Sequence, residues 1–287
     1  MMEKISVIVP FYNGSIPLLQ RALKSVENMR YSNIEVVLVD DGSEGGIDLK
    51  SVVDNFDLGY EVKILRHSNN KGIATARNTA VENATGEWLI WLDCDDWLDA
   101  ACIIKMQPYM REKTMIIGEC YVYEGESISL RQPKIFFDLA SKFIKTMYDP
   151  FAVNVFSIQP QLVKKDAVVK LNMFNPIYRF SEMTEFFLRF VTHYGIDEIA
   201  SISGAYYHYN RNLPNSVSQN RTQLEKYRLK ALREYAIANE LPVDDIVYLG
   251  RNSNLGTQTY ASQKDEHILL PPYTQLYLTT QNILEGE

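Results

Sequence analysis

The sequence is short of cysteine, of basic residues relative to acidic ones, and of long apolar runs, and each shortage excludes a class of protein. Its 287 residues include three cysteines, Cys94, Cys102 and Cys120, which cannot all pair in disulfides and lack the spacing of a metal site. The formal net charge of −7 argues against broad binding of nucleic acid, which requires a basic face. This charge still allows a small basic pocket for a nucleotide.

No apolar run approaches the roughly 18 residues that a membrane span requires. The segment MMEKISVIVP lacks a basic leader and a small-residue cleavage site, so we interpret it as the start of a buried strand. A reducing compartment agrees best with the cysteines. We therefore expect a cytoplasmic protein that has no membrane span and does not bind nucleic acid.

Apolar runs alternate with helical patterns along the first part of the chain. The runs ISVIVPFY, IEVVLVDDGS, EVKILR and GEWLIWLDCDD predict strands, the first of which we expect to end at Pro10, and IPLLQRALKSVENM and IATARNTAVENA predict helices between them. Strands that are apolar throughout and alternate with helices are typical of a sheet covered on both faces. The sequence predicts an α/β fold with a Rossmann-like, mixed, mostly parallel sheet, and ligands bind such sheets beyond the carboxyl ends of the strands.

The pattern is looser beyond residue 100. ACIIKMQPYM, DLASKFIKTMY and SEMTEFFLRFVTHYG predict helices, and TMIIGECYVY and SISGAYYHYN predict strands. A long helix is predicted from RTQLEKYRLKALREYAIANEL, followed by a mixed tail that includes PPYTQLYLTTQNIL. These last segments could cover an acceptor, form a homodimer face or pack back onto the core, and their sequence is compatible with all three.

Acidic residues follow two of the predicted strands: Asp40 and Asp41 after the second, and Asp93, Asp95 and Asp96 after the fourth. A single Asp in such a place usually caps a helix or makes a turn. Three carboxylates within four residues repel one another unless a cation or hydrogen-bond donors neutralise them. Because Mg²⁺ is typically held by one or two carboxylates plus phosphate oxygens, DCDD favours a Mn²⁺ or Mg²⁺ site that a nucleotide diphosphate completes.

Four motifs, SVIVPFYN, VLVDDGS, NKGIATARN and LIWLDCDDW, resemble in order and spacing those of family 2 glycosyltransferases with the GT-A fold. The resemblance covers residues 4–97 and continues in shorter echoes to about residue 218. It implies a metal-dependent enzyme that transfers a sugar, with inversion, from a nucleotide-sugar, most simply UDP-linked, to a hydroxyl of a glycan or small-molecule acceptor. The domain would span residues 1–218, with a nucleotide-binding half (1–97) and an acceptor-binding half (98–218), and a mainly helical extension would span 219–287.

The resemblance also implies roles for individual residues. The nucleotide-sugar would be contacted by Pro10, Phe11, Tyr12, Asn13, Asp41, Lys71, Gly72, Arg77, Asp93, Cys94 and Arg211. Within this set, Tyr12 would stack on the base, Asp41 would accept the imide N–H of uracil or thymine, and Asp93 would contact the ribose. Lys71 and Arg77 would supply positive charge near the ribose or diphosphate.

The remaining roles concern the metal and the acid turns. Asp95 is expected to bind the metal, and His208 could be a further ligand because imidazole tolerates Mn²⁺. Asp40 is expected only to brace its turn, and Asp96 to cap a helix that starts at Trp97. Ser216 is a further candidate for the diphosphate.

The catalytic base is where the sequence departs from the family pattern. The stretch RFSEMTEFFLRF places Glu182 at the Glu of the expected Glu-Asp pair, but Met183 at the Asp. Glu182 and Glu185 are three residues apart on one helix face, so either could deprotonate the acceptor. Both could instead be first-turn acids that stabilise the helix dipole. An alignment shifted by one residue, or altered or lost transfer chemistry, would also explain Met183.

Two other functions remain open on the sequence alone. A sugar nucleotidyltransferase would carry a glycine-rich, basic loop directly after the first strand, where this chain has PFYNGS. A non-catalytic, nucleotide-sugar-binding protein of the same fold would keep the nucleotide site while Met183 marks the loss of turnover.

Overall fold

The computed structural model describes residues 2–56, 58–132, 159–211, 213, 219–238, 247–252 and 257–261. Its first part alternates strands and helices as the sequence predicts. The strands are β1 (Ile5–Phe11), β2 (Ile34–Asp40), β3 (Glu61–Arg66) and β4 (Trp88–Trp91), and the helices are α1 (Ile16–Glu27), α2 (Leu49–Asp54) and α3 (Ile73–Asn83). Every residue of β1, β2 and β4 is buried, because these strands lie inside the sheet and helices cover both faces.

The second part adds both parallel and antiparallel strands. The strands are β5 (Trp97–Leu98), β6 (Met115–Glu124), β7 (Ser127–Arg131), β8 (Gln161–Lys164), β9 (Ile199–Asn210), β10 (Val247–Asn252) and β11 (Thr257–Ala261), and the helices are α4 (Cys102–Met106), α5 (Lys165–Lys170), α6 (Glu182–Tyr194) and α7 (Arg221–Ala238). Short 3₁₀ turns occupy Gln107–Tyr109 and Ile196–Glu198. Strands β10 and β11 form a separate hairpin.

The sheet has the order β3-β2-β1-β4-β8-β6-β9-β5, with β7 paired to β6. The strands β3, β2, β1 and β4 are parallel, as are β6 and β9, whereas β8 runs antiparallel to β4 and β6. Phe11 lies opposite Asp40, and the backbone of Leu92 bonds to Ile8. The acidic residues after β2 and β4 therefore flank the carboxyl end of β1 at one edge of the sheet.

Two apolar clusters lie on opposite faces of the sheet. Leu19, Leu23 and Val26 of α1 pack on one face. The aromatic side chains of α6, including Phe186 and Phe187, pack with α3 on the other. This arrangement confirms the predicted α/β fold with helices on both faces.

A buried carboxylate joins β1, β2 and the end of α3. Glu35 accepts hydrogen bonds from Ser6 Oγ at 2.6 Å and from Thr85 N and Oγ1 at 2.5 and 2.7 Å. The ammonium groups of Lys4 and Lys63 lie 2.9 and 3.2 Å from its Oε2. Burial alone would raise the pKa of Glu35, but these donors and cations outweigh burial and hold the pKa well below its ordinary value.

Two predicted boundaries are wrong. Strand β1 continues past Pro10 to Phe11, because β4 pairs with β1 only as far as Ile8 and the missing N–H of the proline leaves no ladder bond unmade. No helix starts at Trp97. Trp97 and Leu98 instead pair with β9, and α4 begins only at Cys102.

Helix α7 packs back onto α6 and the segment before it. Ser181 Oγ donates to the Leu224 carbonyl at 3.0 Å, and the rings of Tyr178 and Tyr227 lie 6.0 Å apart. In the part of the chain that the structure describes, no helix combines the length and apolarity needed to cross a bilayer. The predicted helix at 138–148, Ser216 and the tail segment 271–284 lie outside the described residues.

Candidate active site

A buried arginine connects the acid turn after β4 to the start of α6. Arg77 is 1% exposed, and its Nη2 lies 2.7 Å from Asp93 Oδ1 while its Nη1 bonds to Glu182 Oε1. Burial alone would lower the pKa of Arg77, but the two carboxylates outweigh burial and raise the pKa. Helix α3 thus holds a permanent cation between two of the residues that the sequence singled out.

Asp96 has a different role from the predicted helix cap. It is 1% exposed, and its carboxylate accepts the Tyr207 hydroxyl and the Asn210 backbone N–H, each at 2.7 Å. The Tyr207 hydroxyl in turn accepts the backbone N–H of Asp93 at 3.2 Å. The cap prediction fails because the chain after Asp96 enters β5 rather than a helix, so the carboxylate bonds to the neighbouring strand β9 instead.

The carboxylate of Asp95 is the least neutralised of the three. No side chain of the described residues forms an ion pair with it, although its backbone carbonyl accepts Arg21 Nη2 at 2.6 Å. The Arg21 guanidinium also lies 3.9 Å from the centroid of the Trp97 ring. Burial, and then the charge of Asp93, raise the pKa of Asp95 to about 6.

These carboxylates fit a hard divalent cation. A cation beside Asp95 would remove the repulsion from Asp93, whose side chain is 34% exposed, and oxygen is the ligand that Mg²⁺ and Mn²⁺ prefer. Across the described ranges, no group of three or more His, Cys, Asp or Glu side chains could hold a metal by itself.

His208 lies in an aromatic stack. Its ring is parallel to Trp97, with centroids 4.9 Å apart, and close to parallel to Tyr121 at 5.4 Å. Its Nδ1 lies 2.9 Å from the Tyr123 hydroxyl, and burial lowers its pKa. Because these contacts are to rings rather than to the acid turn, they add no support to a metal-ligand role, which stays a prediction.

The loop after β1 is tied to the turn after β2. Pro10 and Phe11 are buried within β1, whereas the Tyr12 side chain is 43% exposed and free to stack on a planar ligand. Asn13 adopts a positive φ of 46°, and its backbone N–H donates to Ser43 Oγ at 2.9 Å. Of the four candidates from Pro10 to Asn13, only Tyr12 and Asn13 have exposed side chains.

The two acids after β2 both have partners within the protein. Asp40 braces its turn as expected, because its Oδ1 accepts the Ser43 N–H at 2.8 Å and its Oδ2 lies 3.0 Å from Arg66. Asp41 is 2% exposed and accepts the backbone N–H groups of Lys71 and Gly72 at 2.9 and 2.7 Å.

Asp41 also contacts His67, a residue for which the sequence indicated no role. The ring Nδ1 of His67 lies 2.6 Å from Asp41 Oδ1. No local pattern in the sequence marks this contact. The only available signal is that both residues directly follow predicted strands, whose carboxyl ends meet at one edge of the sheet.

Gly42 is more than a turn residue. Its φ is +76°, and a Cβ at this position would lie 2.4 Å from the backbone carbon of Asn69. The turn after β2 and the loop before α3 therefore approach so closely that a side chain at residue 42 would push them apart.

The two glutamates that were candidates for the base have different surroundings. Glu185 is held at both oxygens by Arg189, at 2.5 and 2.8 Å, and Arg189 also donates to the Met173 carbonyl at 2.8 Å. Glu182 bonds to Arg77 through Oε1 alone. Met183 packs against the apolar cluster beside α6, and its sulfur lies 3.9 Å from Gln159 Nε2.

The remaining candidates are Cys94, Lys71 and Arg211. Cys94 lies between Asp93 and Asp95, and burial raises the pKa of its thiol. The Lys71 side chain is exposed. Arg211 lies just after β9, where its Nη1 is 3.3 Å from Glu124 Oε2.

The sequence model of glycosyl transferase family 2 matches residues 6–171, more than half of the chain. The chain belongs to glycosyl transferase family 2. The expected resemblance to this family is therefore confirmed. The family 2 match contains the candidate residues from Pro10 to Asp95, whereas Glu182, Glu185, His208 and Arg211 lie beyond its end.

One of the similar proteins is a glucosyltransferase. The chain is 33% identical over 131 residues to the GalNAc(5)-diNAcBac-PP-undecaprenol beta-1,3-glucosyltransferase of Campylobacter jejuni, a match that covers 45% of this chain and 41% of that enzyme. The chain thus spans less than half the length of this relative.

Two solved structures share the fold. Residues 1–349 of S. aureus TarS, crystallised with UDP, superpose with a TM-score of 0.62 at 18% identity over 82% of this chain and 64% of that one. The mannosyltransferase PcManGT of Pyrobaculum calidifontis, in complex with GDP-Man and Mn²⁺, gives 0.57 at 17% identity over 83% and 64%. These likenesses confirm the GT-A type of fold for the family 2 domain.

Proposed function

We propose that this chain transfers a sugar from a nucleotide-sugar, preferably UDP-linked, to a hydroxyl of a glycan or small-molecule acceptor, with inversion and with the help of Mn²⁺ or Mg²⁺. The observation that carries the proposal is the buried Arg77, which joins Asp93 after β4 to Glu182 at the start of α6. Support also comes from the UDP complex of TarS and the GDP-Man and Mn²⁺ complex of PcManGT. The nucleotide-binding half would lie in residues 1–97 and the acceptor-binding half in residues 98–218.

The nucleotide would bind along the carboxyl edge of β1, β2 and β4. Tyr12, with its exposed ring, would stack on the base, and Asp41 would accept an N–H from the base edge. Asp93 would accept hydrogen bonds from the ribose, because Arg77 fixes one of its oxygens and leaves the side chain 34% exposed. Gly72 would let the ligand approach the backbone before α3 once the flexible Arg179 side chain, whose Nη1 lies 2.9 Å from where a Cβ would be, moves aside.

Asp95 would hold the cation. Its carboxylate has no cationic side chain as a partner among the described residues and is fixed through its backbone by Arg21. When bound, the cation would act as a Lewis acid that stabilises the departing diphosphate. The contacts of Asp96 to Tyr207 and the backbone of Asn210 keep the turn in the shape that presents Asp95.

Glu182 is the better candidate for the base. Both oxygens of Glu185 are bonded to Arg189, so Glu185 serves to brace α6 against the turn at Met173. Glu182 keeps Oε2 for an acceptor hydroxyl, since Arg77 bonds to its Oε1. The carboxylate would take the hydroxyl proton as the acceptor oxygen attacks the anomeric carbon.

The lack of an Asp at residue 183 favours one alternative, a family member that binds nucleotide-sugars without turnover. Met183 is packed against apolar side chains and cannot accept a proton. Such a protein would keep the contacts of Asp41, Arg77 and Asp95 unchanged.

Calorimetric titration with UDP, GDP, dTDP, CDP and ADP, each with Mn²⁺ and with EDTA, tests the proposal. We expect one nucleotide to bind with Mn²⁺, and Asp95→Asn to weaken that binding at least tenfold. The matched control Asp54→Asn, an exposed acid in α2, should bind as the wild type does. Failure of every nucleotide to bind under any condition would sink the proposal. Binding without release of the nucleoside diphosphate from any sugar nucleotide or acceptor would favour the non-catalytic alternative.

A further inference from the structure

His67 connects three elements at the edge of the sheet where the nucleotide is proposed to bind. It directly follows β3, and its backbone N–H donates to the Asp40 carbonyl at 2.8 Å, so its ring lies beside the end of β2. The ring Nδ1 is 2.6 Å from Asp41 Oδ1, and the ring Nε2 is 2.9 Å from Thr79 Oγ1 in α3. His67 is 8% exposed, so the contacts are shielded from water.

The two ring contacts fix the direction of the hydrogen bonds. A carboxylate accepts only, so Nδ1 of His67 must carry the hydrogen that points to Asp41. In the neutral ring, Nε2 then accepts from the Thr79 hydroxyl. Because α3 anchors one side of the ring, the other side holds Asp41 Oδ1 in one orientation.

The hydrogen bonds that Asp41 accepts occupy most of the acceptor positions of its carboxylate. Its Oδ1 accepts from both His67 and the Lys71 N–H, and its Oδ2 accepts from the Gly72 N–H. An ionised carboxylate offers about four acceptor positions. Described residues use three of them, so within this part of the chain one position remains, on Oδ2, and its direction is set by the other three bonds.

We propose that His67 is a positioning residue that orients Asp41 so that the last acceptor position of its carboxylate selects nucleotide bases with a ring N–H. This inference rests on the proposed function. Uracil and thymine present an imide N–H that can donate to Asp41 Oδ2. Cytosine presents a lone pair at the same ring position, and that lone pair would face a carboxylate lone pair. Without the His67 contact, Oδ1 of Asp41 would keep only the Lys71 N–H, so the carboxylate would be held less firmly and the distinction would weaken.

Two substitutions separate the two contacts of the ring. His67→Asn places an amide donor near the position of Nδ1, where it reaches Asp41 but not Thr79. His67→Gln places its amide near the position of Nε2, where it reaches Thr79 but not Asp41. Both variants are neutral and polar, so each serves as the control for the other.

The measurement is the ratio of the UDP and CDP dissociation constants, by calorimetry with Mn²⁺, together with the melting temperature. We expect His67→Gln to lower the preference for UDP about tenfold, the effect of losing one hydrogen bond to a charged group. His67→Asn should keep the preference within about threefold of the wild type.

Several results would overturn the proposal. A merely structural role for His67 would weaken both nucleotides equally and leave the ratio unchanged. Equal loss of preference in both variants would show that the Asp41 contact is not what matters. If the wild type itself binds no nucleotide, the proposed function fails, and the inference fails with it. If the wild type binds and only the ratio test fails, the proposed function stands.

A measurement on the wild type tests the same proposal without any variant, and so remains possible if His67→Gln does not fold. The Nδ1–H proton of His67 gives a separate resonance in proton NMR when it is shielded in a hydrogen bond. UDP should shift this resonance, because a donor on Oδ2 changes the carboxylate that Nδ1 contacts. Saturation with UDP without any shift would overturn the proposal.

Discussion

Replacing Arg77 by methionine would test the central ion-pair network of the site. Methionine keeps an apolar stem of similar length but removes the guanidinium from Asp93 and Glu182. The Asp93 side chain is 34% exposed and could be hydrated after the loss, whereas the Glu182 side chain is only 9% exposed and would be hydrated far less. The substitution therefore leaves one buried carboxylate without its cation.

The expected magnitude follows from that single charge. Removing one partner of a buried ion pair destabilises a protein by about 3–5 kcal/mol, because the other charge stays desolvated. For a chain of this size the melting temperature should fall on the order of 10 °C. Adding Glu182→Gln to Arg77→Met removes the unpaired charge, so the double variant should recover about 1–3 kcal/mol.

Urea unfolding followed by circular dichroism measures both effects. The control is Lys50→Met, which breaks the exposed pair of Lys50 and Asp54 in α2 and should change the free energy of unfolding by about 0.5 kcal/mol or less. The reasoning is refuted if Arg77→Met unfolds within about 1 kcal/mol of the wild type. It is equally refuted if the destabilisation of the double variant equals the sum for the two single variants. The changes in free energy of unfolding should not add for residues that contact each other.

Two further predictions concern Glu35 and Gly42. Glu35→Gln should destabilise the fold by about 1.5–3 kcal/mol at pH 7, because Ser6 and Thr85 lose a charged acceptor while Lys4 and Lys63, 31% and 28% exposed, can be hydrated. Glu61→Gln, at an exposed acid near the same two lysines, should have an effect of about 1 kcal/mol or less in urea unfolding. Since the folded state lowers the pKa of Glu35, this stability is present above the ordinary value of 4.5 and is lost as the pH falls below it, so the wild type and Glu35→Gln should converge in acid. A gap that widens in acid would contradict this sign. Gly42→Ala should destabilise the protein and weaken nucleotide binding, whereas Gly45→Ala, with the same φ of +76° but nothing within 4 Å of its Cβ, should show only backbone strain of about 1 kcal/mol. Equal effects of the two alanines in thermal unfolding and nucleotide titration would show that the close approach to Asn69 is unimportant.

The elements around the site were predictable because their signals are local. Apart from Ser6 and Glu35, the runs that form β1, β2 and β4 are apolar and end in acid or at a turn, a pattern that is typical of strands in the interior of a covered sheet. Parallel strands then bring those ends together without further information. The four motifs identified the family for the same reason, since each is a continuous stretch.

The partners of the site residues were not predictable, because they are distant along the chain. Tyr207 bonds to Asp96 across 111 residues, and Arg77 bonds to Glu182 across 105. The prediction of a helix after Asp96 failed for this reason, since the pairing with β9 overrides the local preference of an Asp to cap. His67 illustrates the same limit, because neither its sequence neighbours nor its spacing indicates a contact with Asp41.

The three carboxylates of the DCDD turn differ in the partners that neutralise them. This difference indicates which of them is available to bind a cation. Asp93 has the guanidinium of Arg77, and Asp96 has the Tyr207 hydroxyl and a backbone N–H. Asp95 has neither a cation nor a side-chain donor among the described residues, and burial beside Asp93 raises its pKa to about 6. A fold that neutralises two of three adjacent carboxylates and leaves the third one half-buried gains nothing in stability from the third. Its cost is offset when a divalent cation binds there, so we expect Mn²⁺ to act at Asp95 rather than at Asp96.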